Sequence, residues 1–198
     1  MGSKDRILRQ KEETKSSILN AAFEIVKEEG WKGLSLRKIG DRIEYTAPII
    51  YEYFQNKDAI LNELAKTGFL KLDAKLGKAQ KKYSSPEDQL EAMWMAYWKF
   101  AFENREIYQI MYGVEMTCCI GIGPEEKLAA NRFCSVIEKL MENSNPTKDE
   151  VKQKYFTFFS VIHGLISINL VGDRLPDTIN NQILIESIKA IINSIKDK

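Results

Sequence analysis

Four of the five prolines fall in gaps between stretches whose apolar residues recur every three or four positions. Pro86, Pro124, Pro146 and Pro176 each stand where a helix can start or a linker can run, and a proline deeper inside a helix would break it. The same gaps hold other breakers: Ser84-Ser85, Gly121-Ile122-Gly123, Asn143-Ser144-Asn145 and, after Pro176, Asp177-Thr178. No stretch alternates apolar and polar residues as a half-buried strand does, and no hairpin signal competes. The chain therefore reads as all-α, with about nine helices.

The first helix spans about residues 12–29, with Ile18, Leu19, Ala22, Phe23 and Val26 on one face and Gly30 as its stop. Ser35 caps a short helix to about Ile43, Thr46 caps another to Tyr53 or Phe54, and Asn56 caps a longer one over about residues 57–81. Later helices cover about residues 86–104, 105–115, 124–143, 147–171 and 177–195. Met1-Gly2-Ser3 reads as an expression scar outside the fold. The basic residues Lys4, Arg6, Arg9 and Lys11, against Asp5, form a charged tail that is either disordered or free to reach an anionic partner.

Composition narrows the function. With 198 residues, 44% of them hydrophobic, the chain has ample material for a core. No run of about 18 apolar residues occurs, which argues against a membrane span. Phe156 to Val171 is the richest stretch, and Ser160, His163, Gly164, Ser167 and Asn169 interrupt it. A net charge of +1 provides no bulk attraction for nucleic acid, so any such binding must rest on placed contacts. Three cysteines make no disulfide framework, and a reducing, cytoplasmic setting is expected. A single histidine, His163, and scattered cysteines supply no metal set and no Cys-His or Ser-His machinery. Phosphate-binding and nucleophile-elbow motifs are absent from the sequence. The expectation is a protein without cofactor or metal, and not an enzyme.

The segment Leu34–Phe54, LSLRKIGDRIEYTAPIIYEYF, has the pattern of a helix-turn-helix. Ile39 and Ile43 share one face of its first helix, and Ile50 with Tyr53 or Phe54 shares one face of the second. Gly40 is small enough for the two helices to cross closely. The second helix of such a motif enters the major groove.

The run from Thr14 to Phe69 resembles the DNA-binding domain of the TetR family of transcriptional regulators. ILNAAFEIVKEEG, the S-L-R-K-I-G helix and IIYEYFQNKDAIL carry the resemblance, and Tyr51-x-Tyr53-Phe54 followed by Lys57 is its most specific part. The resemblance implies a helix-turn-helix domain at 12–56, continuing into a linking helix at 57–81, and a helical ligand-binding and dimerisation domain at 57–198. Where such motifs usually carry glycine in the turn, this chain has Glu44, so the turn is either reshaped or strained.

Position assigns each motif residue a task. Ser35, at a helix start, can help hold a phosphate. Arg37 and Lys38 can reach backbone or a guanine edge. Thr46, Ala47, Pro48 and Ile49, small or apolar, suit close approach and thymine methyls. Tyr51 and Tyr53 can donate to phosphates, and Lys57 can clamp the same strand. In the family this set carries the DNA contacts. Residues 1–60 hold eleven basic and ten acidic residues, so binding would depend on those contacts in a dimer.

In the later part, the helix at 147–171 is apolar on nearly every side; the chain's own helices could bury it as core, and a symmetric dimer does so more readily. The family resemblance implies that it pairs with the last helix in a four-helix dimer interface, with Phe158, Ile162, Ile188, Ile191 and Ile195 at the contact. The aromatic and methionine residues of 86–116 are core or pocket lining. The resemblance favours a pocket for a small apolar or amphipathic effector lined by Trp94, Trp98, Phe102, Met111, Phe159 and His163. Cys118-Cys119 reads as a pair of free thiols, with a redox or soft-metal sensor as the other reading. The function implied is a homodimeric repressor released from a palindromic operator on double-stranded DNA by its effector, with no membrane partner. The other reading is a helical protein–protein adaptor without DNA binding.

Overall fold

The computed structural model describes residues 2–113, 123–171 and 175–196. Among these, nine α-helices follow in order: α1 (Ser3–Glu29), α2 (Leu36–Ile43), α3 (Ala47–Tyr53), α4 (Lys57–Gln80), α5 (Pro86–Glu103), α6 (Arg105–Tyr112), α7 (Pro124–Leu140), α8 (Lys148–Val171) and α9 (Asp177–Lys196). Short 3-10 turns lie at Trp31–Gly33 and Glu142–Ser144, and no strand occurs among the described residues.

Local chemistry sets these boundaries. Ser35 accepts the Lys38 backbone N–H at 3.3 Å, and Asn56 accepts that of Ala59 at 2.8 Å. Ser85 accepts from Asp88 N at 3.1 Å, one residue before the proline that opens α5. Thr147 and Glu150 bond reciprocally at the start of α8. Thr46 departs from expectation. It stands at the N-cap of α3, but its hydroxyl accepts no capping bond. Pro48 in the first turn, where its missing N–H breaks no helical bond, fixes that start instead. The first helix is also longer than its apolar period indicates. It begins at Ser3, where the Gly2 N–H donates to Asp5 at 3.1 Å, so the basic tail is helical with exposed side chains.

Contacts divide the chain into two compact units. The first holds the chain up to Gly68 and the segment starting at Glu106. Its core is Ile18, Ala22, Ile25, Val26, Leu34, Ile39, Ile50, Phe54, Ile60 and Leu61, all buried. Gly68 lies under α6, where a Cβ would stand 2.6 Å from both Ile107 Cγ2 and Met111 Sδ. The second unit holds Phe69–Arg105 and the chain from α7 onward. There α5 packs on α7, α8 and α9, and α8 packs on α9. The division falls inside α4, between Gly68 and Phe69.

In the second unit Arg132 of α7 grips Asp73 of α4 with two bonds, 2.7 and 2.8 Å long, and donates to Gln80 at 3.2 Å. Gly77 leaves the space across which that guanidinium lies. Between α8 and α9, Asn169 and Asn180 are buried and exchange amide bonds of 2.9 and 2.8 Å. By length and composition α8 suffices to cross a membrane, despite the polar residues that interrupt it. Helices that bury one face in their own chain and another in a partner share that composition.

Candidate nucleic-acid interface

The helix-turn-helix is built around one close approach. A Cβ on Gly40 would stand 2.6 Å from the Tyr45 carbonyl oxygen and 3.5 Å from Ala47 N, so only glycine lets α2 lie this near the start of α3. The chain reverses at Glu44, which adopts the left-handed conformation at φ 60°, ψ 34°. The turn thus keeps the geometry that glycine favours and carries the strain of a side chain. Tyr45 N–H bonds the Gly40 carbonyl at 2.9 Å and closes it. Glu44→Gly should stabilise this unit by up to about 1 kcal/mol, the left-handed cost less glycine's added chain entropy. Urea unfolding measures the gain; a loss of stability would show the turn to be unstrained.

Burial of Ile50 and Phe54 under α3 leaves the opposite face outward. Thr46, Pro48 and Tyr51 are exposed, while Ala47, Ile49 and Tyr53 are half-buried. Of the residues singled out from the sequence, Pro48 and Tyr51 lie on the exposed side with Glu52, Ile49 and Tyr53 flank it, and Ala47 turns toward Ile50.

The cations divide more sharply. Arg37 is the freest, its side chain 89% exposed, with Asp41 at 4.0 Å. Lys38 is ion-paired to Glu29 of α1 and donates to the Gly33 carbonyl at 3.2 Å. Its first task is therefore to tie α2 to α1, not to stand ready for a base edge. Arg42 likewise forks onto Glu28, with one arm at 3.1 Å. The Arg42 hydrogen bond holds the Glu28 carboxyl below its usual pKa, and that carboxylate raises the arginine's. Ser35 already spends its oxygen on the cap, leaving its hydroxyl proton to donate. Lys57, at the start of α4, donates to the Lys32 carbonyl at 3.0 Å and lies over the Trp31 ring. Burial lowers its pKa. Trp31, Glu28 and Glu29 were not legible as parts of this site, because only the tertiary fold brings them to these cations.

The second unit alters two expectations. Phe158, Ile162, Ile188, Ile191 and Ile195 are all buried by their own chain, where the expected dimer contact would leave them outward. Phe158 lies beside Trp94, ring centroids 5.4 Å apart. Outward apolar residues form a different set: Val161, Ile168 and Val171 on α8, Ile179 and Ile183 on α9. Val161, Ile168 and Val171 share a stripe with Gly164, above which a Cβ would meet nothing within 4 Å.

Of the expected pocket residues, those in the second unit lie against neighbouring rings. Trp94 is fully buried and stacks on Phe133 at 3.8 Å, filling its own surroundings. Its indole N–H has no hydrogen-bond partner. Trp98 pairs with Phe102 at 4.7 Å, and Phe159 stacks flat on His163 at 4.9 Å. Tyr97 links to this second pair, 6.4 Å from Phe159. Burial lowers the His163 pKa, favouring the neutral ring. Met111 belongs to the first unit, against Gly68. Cys118 and Cys119 lie outside the described residues. Burial and Glu138 raise the thiol pKa of Cys134. Among the described residues no group of three His, Cys, Asp or Glu side chains is placed to hold a metal ion.

Residues 18–64 match the profile described as bacterial regulatory proteins, tetR family, and residues 90–187 match that of the tetracyclin repressor-like C-terminal domain. An uncharacterised helix-turn-helix transcriptional regulator of Haemophilus influenzae is 32% identical over 90 residues, which span 46% of this chain and about half, 48%, of that protein. Among solved structures, the TetR family regulator PfmR of Thermus thermophilus superposes with a TM-score of 0.62 at 17% identity, over 89% of this chain and 97% of the other. A TetR variant of Acinetobacter baumannii in complex with minocycline gives 0.66 at 15% identity, over 91% and 94%. At these identities the structural likeness is one of fold.

Proposed function

Because the chain belongs to the TetR family of bacterial DNA-binding transcriptional regulators, we propose that it acts as a homodimeric repressor, released from a palindromic operator by a small apolar or amphipathic effector. The outward face of α3, set by the Gly40–Tyr45 approach and the left-handed Glu44, carries this reading. The functional division follows the sequence: residues 12–56 bind DNA, and the chain from Lys57 onward links, dimerises and takes the effector.

In this reading Thr46, Ala47, Pro48 and Ile49 meet base edges in the major groove. Tyr51, Tyr53 and Lys57 bond the phosphates beside them, joined by Arg37 and the Ser35 hydroxyl. Lys38 reaches DNA only by leaving Glu29. A second copy pairs through the exposed stripe of Val161, Ile168 and Val171 with Ile179 and Ile183, placing two reading helices on successive half-sites. The aromatic residues around Trp98, Phe102, Phe159 and His163 receive the effector. The minocycline complex of the Acinetobacter baumannii relative supports a small molecule in that role.

A gel shift against the DNA upstream of the chain's own reading frame tests this. Lys57→Ala should weaken binding to every sequence alike and lower the salt slope by about one unit. Ile49→Ala should change which bases are preferred while leaving that slope intact. An adaptor without DNA binding would shift no fragment. If both variants bind like the wild type, α3 is not the reading helix.

A further inference from the structure

Trp31 opens the 3-10 turn between α1 and α2, and two ammonium groups lie over its one ring. Lys57 Nζ stands 5.4 Å from the ring centroid and Lys32 Nζ 5.5 Å. Lys57 reaches this place from the start of α4, and its Nζ also donates to the Lys32 carbonyl at 3.0 Å. Other cations of this unit are held by carboxylates: Lys38 by Glu29, Arg42 by Glu28, Lys15 by Glu63. Lys57 is held differently. Its contacts are a carbonyl oxygen and an aromatic face; the neighbouring Asp58 attracts it only through space, and among the described residues no carboxylate forms an ion pair with it.

That difference has a chemical consequence. A lysine in an ion pair must lose its carboxylate before a phosphate can take its place. A lysine over an indole keeps its full charge, because the ring attracts the cation without neutralising it. One of its three N–H bonds goes to the Lys32 carbonyl, and two remain for an incoming anion. Partial burial adds to the effect by removing competing water, consistent with the lowered pKa of this ammonium.

We infer that Trp31 is a positioning residue for DNA binding: its indole face holds the Lys57 ammonium, outside any ion pair, where it receives a backbone phosphate. The inference rests on the proposed reading that Lys57 meets DNA. It identifies what presents that lysine in a unit whose charges otherwise nearly cancel.

Because a phosphate contact does not depend on sequence, a random-sequence DNA duplex at low salt serves as the probe, with affinity followed against salt concentration. Lys57→Ala should lose about tenfold in affinity and about one unit of salt slope. Trp31→Leu should reproduce both losses, and the double variant should lose nothing more. Trp31→Phe should keep most of the affinity. Should the leucine variant fail to fold, fluorinated tryptophan supplies the second test, since fluorine drains the negative face of the ring with little change of shape. Affinity should then fall stepwise with fluorination in the wild type and stay constant in Lys57→Ala. Salt-dependent binding by a wild type that is indifferent to every change at Trp31 overturns the inference alone. A wild type that binds no duplex overturns the DNA-binding reading with it.

Discussion

Asn169→Leu is expected to destabilise the protein by about 2–5 kcal/mol, a large part of the 5–15 kcal/mol that typically holds a domain of this kind together. Asn169 donates to the Leu165 carbonyl at 2.8 Å and to Asn180 at 2.9 Å, and its oxygen accepts from Asn180 at 2.8 Å and from the Leu175 N–H at 3.1 Å. Leucine fills a similar volume but takes the donor from the buried Asn180 oxygen and the acceptor from the part-buried Leu175 N–H. Each such orphan costs roughly 1–3 kcal/mol. Asn180→Leu should cost less: Asn169 keeps its bonds to the Leu165 carbonyl and the Leu175 N–H, and only the Leu175 carbonyl, which Asn180 bonds at 2.9 Å, loses its donor. Replacing both asparagines should cost less than the sum of the two single changes, because the second removes groups that the first stranded. Urea unfolding of the four proteins measures this, and strict additivity would show that the two amides do not act as a pair.

Ile168→Glu should convert the proposed dimer into a folded monomer. Ile168 is 55% exposed on α8, in the stripe with Val161, Gly164 and Val171, so glutamate there is harmless to an isolated chain. Across a two-fold axis the same carboxylate is buried, unpaired and met by its own copy, at a cost of several kcal/mol counted twice. Sedimentation should give the single-chain mass for the variant and twice that for the wild type, with unchanged helical circular dichroism. Ile188→Glu is the informative contrast. Ile188 is buried inside its own chain, so that substitution should unfold the second unit. A monomeric wild type at high concentration, or a variant that still pairs, would remove α8 from the interface.

The contrast between Ile188 and Ile168 also shows what the amino-acid sequence conveys and where it stops. Helix boundaries were legible because their signals are local: Ser35, Asn56 and Ser85 cap where a cap is needed, and the prolines admit few other positions. The helix-turn-helix was legible for the same reason, since Gly40 and Tyr45 are five residues apart. Apolar periodicity, by contrast, reports only that a face is covered. It does not distinguish a face covered by α5 from one covered by another molecule. Phe158, Ile162, Ile188, Ile191 and Ile195 therefore read as a dimer seam although their own chain buries them. Trp94 read as pocket lining because a stripe of rings looks the same whether it surrounds a space or fills it with Phe133. Asn169 stood out only as an interruption of an apolar run; the partner that explains it is another asparagine on the next helix.

The ion pairs of α2 bear on how such a protein finds its target. Lys38 and Arg42 are occupied by Glu29 and Glu28, so in the proposed role the unit would meet random DNA with few cations to offer besides Arg37 and Lys57. A regulator with a strongly basic domain spends most of its time sliding along unrelated sequence, and its supply of free copies is small. This chain should instead dwell briefly at each wrong site and travel mainly through solution. Its bound lifetime would then depend on how well α3 fits the bases, and a modest number of molecules could survey a genome without being soaked up by it.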